Sequence, residues 1–151
     1  MENNGLIWRS SSFSNLNVFE LYELLRLRSE IFIVEQKCLY QDLDGKDRKA
    51  DHLFAVDGEH IVAACRIFGP DMVYDEASIG RVVVSEASRG KSLGHALMER
   101  ALAEVEEKHG PVPVKISAQA HLQGFYNRHG FVTVSEEYLE DGLPHVAMRK
   151  G

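Results

Sequence analysis

Cysteine is scarce. Cys38 and Cys65 are the only two in 151 residues. Two thiols cannot build a disulfide framework or a zinc knuckle, so the chain reads as cytoplasmic. Long apolar runs are missing as well. The N-terminal stretch MENNGLIWRSSSFSN is polar, with nothing of signal-peptide type. No segment is apolar for long enough to span a bilayer, and no membrane partner is expected. Positive charge is outweighed: 17 Lys and Arg stand against 23 Asp and Glu, a net charge of −6. That balance excludes a broad basic face for nucleic acid, although a local basic patch remains open. There are seven histidines, yet none has H-E-x-x-H spacing. No metal is expected. Repeats and low-complexity segments are absent too.

What is present suits one domain spanning residues 1–151, with 44% hydrophobic residues to fill a core. Leu6 to Trp8 predicts a short strand and Ser10 to Asn17 a polar loop. Asn17 with Glu20 forms an N-cap pair for one or two helices over Val18 to Gln36. Arg28 falls on the apolar stripe of that segment. It is either buried with a partner or marks a break in the helix. The loop Lys37 to Asp51 is rich in Asp. Its Gly45 comes too early for a calcium loop, and no Glu closes it.

Strands are expected at His52 to Val56 and Glu59 to Phe68, joined at Asp57-Gly58, and at Ser78 to Val84. A helix follows over Ser92 to Lys108, then a strand over Val112 to Ala118 and a short helix over His121 to His129. Phe131 to Tyr138 and Pro144 to Arg149 predict two final strands. The alternation implies an α/β fold: a mixed, mostly antiparallel central sheet flanked by helices on both faces.

The informative stretch is Ser78 to Lys108. An apolar strand ends at Val84, a loop carries Arg89, Gly90 and Lys91, and a long helix begins near Ser92. Loop amides and a helix N-terminus can hold a phosphate. Gly90-Lys91-Ser92 ends like a Walker A motif, but that motif needs a glycine where this chain has Ser85. Gly90 and Gly94 do not make the dinucleotide fingerprint either.

A third pattern fits. Arg89-Gly90-Lys91-Ser92-Leu93-Gly94 resembles the pyrophosphate loop of the GNAT acetyltransferases, with Ser92 in place of the central glycine. Downstream, Tyr126-Asn127-Arg128-His129-Gly130-Phe131 resembles the second motif of that family. Where the family often carries Asn upstream of that Tyr, this chain has Gln119. Arg28 with Ile31 to Gln36, Tyr40 to Gly45, Ala118 to Gln123 and Glu140 to His145 resemble its ElaA-type branch over nearly the whole chain.

The resemblance implies acetyl transfer from acetyl-CoA to a primary amine by direct attack on the thioester. The acceptor is a small-molecule or a protein amine. A non-catalytic acyl-CoA sensor is the alternative. Val82, Val83 and Val84, residues Arg89 to Gly94, Gln119 and Arg128 would bind the cofactor. Arg66, Arg81 and His95 are further candidates for its phosphates, although ion-paired roles suit Arg66 and Arg81 better. Tyr126 stands where the family places its general acid, while spacing alone makes it a core residue. Glu35, Gln36, His121 and His145 are expected in the substrate pocket. Glu35, His121 and His145 are the candidate bases. A homodimer through a sheet edge is compatible with the pattern.

Overall fold

Residues 60–68, HIVAACRIF, are apolar at nearly every position, the pattern of a strand covered on both faces. In the computed structural model, which describes residues 5–90 and 92–151, they form the central strand β3 (His60–Phe68). The other elements are β1 (Ile7–Ser12), α1 (Val18–Arg28), β2 (Asp51–Asp57), β4 (Ala77–Val84), α2 (Leu93–His109), β5 (Val114–Gln119), α3 (Gln123–Asn127), β6 (Val132–Thr133), β7 (Tyr138–Glu140) and β8 (Leu143–Lys150). Among the described residues the strands make one sheet in the order β1-β2-β3-β4-β5-β8-β6, with β7 also on β8. β4 and β5 run parallel; the other pairings are antiparallel.

A helix covers each face. Asn17 caps α1 through the expected box, Oδ1 accepting from Glu20 N–H at 2.8 Å and Glu20 Oε1 from Asn17 N–H at 3.0 Å. Leu24 and Leu27, with Ile31 and Phe32 just beyond, bury against Phe54, Ile61, Ala64 and Val83. On the other face Leu93, Leu97, Met98, Ala101 and Val105 of α2 pack on Leu53, Cys65, Ile79, Ile116 and Met148. Each such Leu or Phe contributes about 1.5–3 kcal/mol by leaving water.

Three boundaries differ from the sequence reading. The expected loop after Trp8 is strand to Ser12, because β2 supplies a ladder partner for the serines. The helix ending in Gln36 changes at Ser29 into a π-helical stretch, Ser29–Glu35. The strand expected over Phe131 to Tyr138 is broken into β6 and β7, both on the same edge of β8.

The shape of β4 decides where a site can form. Ala64 pairs with Val83 but Arg66 pairs with Gly80, so β4 carries one extra residue, and Arg81 there has φ +48°. A β-bulge of this kind exchanges the two faces of a strand. Ala77 and Ile79 accordingly join the α2-side core, whereas Val83 joins the α1-side core. Toward β5, β4 pairs only at Ala77–Val114 and Ser78–Lys115. Beyond those residues the two strands separate, and the sheet opens into a cleft.

Arg28 is both buried and at the end of the helix. It is 2% exposed, with Nε donating to Asp42 at 2.9 Å and Nη1 to Asp47 at 2.7 Å. Arg66 holds Asp44 through two bonds, 2.8 and 2.9 Å, and also reaches Asp47 at 3.2 Å. Arg81 donates to Asp42 Oδ1 at 2.7 Å and to the Asp42 carbonyl at 2.8 Å. The Asp-rich loop therefore supplies counter-ions to three arginines, and Arg66 and Arg81 are committed to it. Burial opposes ionisation of Asp44 and Asp47. Hydrogen bonds and charge from Arg66 and Arg28 outweigh it, holding both carboxyls below the usual range.

Two outcomes follow for stability. Carboxyls whose folded pKa is depressed stabilise fully above their unfolded value, about 3.9, and lose that contribution as pH falls toward the folded value. Urea midpoints are thus expected to drop below about pH 4. Asp47→Ala leaves buried guanidinium groups short of a counter-charge and is expected to cost about 3 kcal/mol, measured by urea denaturation at pH 7.

Candidate active site

The polar segment after β4 cannot continue the sheet, because its glycine and serines favour turns. A single 3-10 turn, Glu86–Ser88, leads to Gly90 at φ +83° and Ser92 at φ +59°, ψ +21°. α2 starts at Leu93, with Ser92 at its N-cap and no acidic residue in its first turn. The first amides of the helix therefore point into the cleft with no carboxylate competing for them. The resemblance identified Ser92 as the departure from the family pattern, and the structure gives its physical meaning. The position is left-handed, which a glycine adopts freely and a serine at a cost of about 1 kcal/mol. Lys91 lies outside the described residues.

The cleft contains two cavities. The larger, about 800 Å³, runs from this loop along β4. Val82, Val83 and Val84 line it, with Arg89, Gly90, Ser92, Leu93, Gly94 and His95 at the loop end. Ser85 N–H donates to Val62 O at 2.8 Å. By antiparallel alternation the backbone groups of Val84 then face the cleft. The Val84 carbonyl accepts there from Arg89 Nε and Nη2 at 3.3 and 3.2 Å. The smaller cavity, about 360 Å³, lies on the other side, between the Asp-rich loop and the β7–β8 turn. Gln36, Gln119, Val82 and Tyr126 line both cavities, together with Phe32 and Leu122. These six residues form the waist where the cavities meet.

Tyr126 is 7% exposed and reaches the waist from α3. Phe125 and Phe131 hold its ring edge-on, at centroid distances of 5.0 and 6.0 Å. Burial pushes its phenol well above the ordinary value, so it stays protonated across the neutral range. Gln119 Nε2 and Gln36 Oε1 approach to 3.5 Å across the waist.

The other expected residues separate. Glu35 and His121 line the larger cavity and not the smaller. The Glu35 carboxylate is bidentate on Arg89, at 2.6 and 2.7 Å, and the Arg89 hydrogen bonds hold its pKa down. His145 lines the smaller cavity, beside Glu140 and Asp141. Arg128 is exposed and lines neither. His95 pairs with His129 (Nδ1 to Nε2, 2.8 Å) and packs against Phe125 with the rings tilted by 31° at 4.6 Å. Phe32 and Leu122 were missed as site residues. Their helical spacing reads as core, and only the opening of the sheet turns them toward a cavity.

Ser92 gives a direct test of the loop. Ser92→Gly is expected to raise stability by up to about 1 kcal/mol, and Ser92→Val to lower it by about 1–3 kcal/mol, in urea denaturation.

Known proteins share this architecture. The family description "Acetyltransferase (GNAT) domain" matches residues 23–151. Protein ElaA of Escherichia coli is 43% identical over 145 residues, which is 95% of each chain. Its crystal structure superposes with a TM-score of 0.90 over 97% of this chain and 99% of that one. An acyl-CoA N-acyltransferase from Pseudomonas aeruginosa superposes with a TM-score of 0.92 at 48% identity, covering 97% of this chain and 99% of that one. A sheet opened by a bulge in β4, a left-handed turn at the head of α2 and relatives of this identity over nearly the full length lead to one assignment: the chain belongs to the GNAT acetyltransferase family.

Proposed function

We propose that this protein transfers an acetyl group from acetyl-CoA to a primary amine by direct attack of the amine on the thioester. The observation that carries the reading is the waist: two cavities of different character meet at Tyr126, Gln36, Gln119 and Val82. A reaction between two substrates entering from opposite sides needs such a junction.

The larger cavity suits the CoA moiety. Its pyrophosphate fits the amides between Arg89 and Gly94, at a helix start where the peptide dipoles favour an anion. Arg89 adds a guanidinium at the same end, tethered to Glu35 and the Val84 carbonyl. The free edge of β4 at Val82 and Val84 offers backbone groups for an extended pantetheine to pair with, as an added strand does. An amide at that edge can also stabilise the oxyanion that develops on the thioester carbonyl.

Departure of the thiolate needs a proton. Tyr126 supplies it: the phenol is protonated, buried, and sits where the two cavities join. The amine approaches from the smaller cavity. Small-molecule and protein amines both remain compatible with its open mouth.

Two measurements test this. Tyr126→Phe is expected to lower kcat by about 10²–10⁴ fold while leaving the Kd for CoA within about twofold, by CoA-release assay and calorimetry. Unchanged turnover removes the acid role. Calorimetry of the wild type against CoA, ATP and GTP separates the cofactor classes: binding of a nucleotide without binding of CoA would overturn the reading. Binding of CoA with no turnover on any amine would instead favour an acyl-CoA sensor.

A further inference from the structure

The proton that must leave the acceptor amine has no assigned destination. An alkylammonium has a pKa of about 10.4, so it enters the site protonated and cannot attack until it is deprotonated. Three side chains named from the sequence could accept that proton, and the structure separates them. Glu35 is on the cofactor side, and both its oxygens are bound by Arg89. His121 is exposed on the same side. His145 alone of the three lines the acceptor cavity.

The geometry points to His145 as the general base. This rests on the amine-acetylation reading above. β8 holds His145 directly opposite Gln119 in the antiparallel register of β5 and β8, so the two side chains share one face. Gln119 belongs to the waist, which places the imidazole one residue across from the point where the substrates meet. The ring is 8% exposed and lies nearly parallel to Tyr138, 25° between planes at 6.3 Å.

Its tautomer is set by its surroundings. Nδ1 lies 2.8 Å from the Leu143 carbonyl oxygen, which can only accept. Nδ1 therefore carries the hydrogen in the neutral ring, and Nε2 presents a lone pair. Glu140 Oε2 is 3.9 Å from Nε2, too far for a hydrogen bond, and its other oxygen accepts from Ser117 Oγ at 2.8 Å. These contacts leave Nε2 free to take a proton, with the Glu140 carboxylate 3.9 Å away. Asp141, Tyr138 and Tyr74 are the other titratable groups near the imidazole, and Tyr40 lines the same cavity beside Arg81. Across the cavity Arg66 and Arg81 are neutralised by Asp44 and Asp42, and Lys46 contributes one positive charge at the rim.

The step balances. Nε2 of His145 takes one proton from the ammonium and passes it to solvent. The neutral amine forms the C–N bond to the thioester carbon, and the C–S bond breaks. Tyr126 protonates the thiolate. The second proton lost from nitrogen restores the phenol. The net products are the amide, CoA thiol and one released proton.

Asn is the informative substitution, because its side-chain N–H can keep the bond to the Leu143 carbonyl while the basic nitrogen is lost. The probes are ethylamine, protonated at neutral pH, and hydroxylamine, which is not. In His145→Asn, kcat/KM for ethylamine is expected to fall at least 100-fold at pH 7 and to lose the wild-type acid limb of its pH profile. Turnover of hydroxylamine should change less than fivefold, and the Kd for CoA should not move. Equal losses for the two amines, or no loss for ethylamine, overturn the base role while acetylation stands. A wild-type chain that binds CoA yet acetylates neither amine overturns the acetylation reading, and the base with it.

Discussion

Three arginines from three separate elements converge on one loop. Arg28 ends α1, Arg66 lies in β3 and Arg81 sits in the bulge of β4; Asp42, Asp44 and Asp47 match them in number, each carboxylate bridging two guanidinium groups. Taking so many charges out of water is costly, and only mutual pairing with near-ideal hydrogen bonds offsets it. The return is positional. The cluster fixes the Asp-rich loop as a wall of the smaller cavity. It also clamps Arg81 in a left-handed conformation that an L-residue otherwise avoids. Without that clamp β4 has no reason to leave its regular ladder, and the cleft depends on its leaving.

From there the site follows by geometry. The bulge turns β4, β5 beyond Lys115 is left without a partner on its β4 side, and the sheet parts. α2 brings its N-terminus to one end of the gap, and α3 brings Tyr126 to the middle. A protein with a more regular sheet would have a stronger ladder and no gap in which two cavities could meet. The irregularity and the cavity are the same feature seen from two sides.

Much of this was legible in the residues. The N-cap pair at Asn17 and Glu20, the apolar run of β3 and the glycine-bearing loop before α2 each carry a local physical signal. Arg28 on an apolar stripe left two readings, a buried charge with a partner or a break in the helix, and both hold. Its partners stayed hidden because they lie in a loop whose spacing favours no element, and pairing across such a distance leaves no period to detect. The same holds for the waist. Gln36, Gln119, Phe32 and Leu122 come from separate segments, and Phe32 and Leu122 read as ordinary packing until the strands separate. The division of Glu35 from His145 was equally invisible, since it depends on which side of the gap each side chain enters.

The bulge in β4 also constrains the chain in a way that side-chain chemistry does not. Between Gly80 and Val83 the strand counts three steps where β3 counts two. Shortening that segment by one residue would remove the bulge and leave a regular ladder, with Val83 still opposite Ala64. Val83 would keep its face toward α1, but the bend at Arg81 that leads β4 away from β5 would be lost, and with it the opening that Val82 and Val84 now line. What must be kept here is the number of residues, more strictly than their identity.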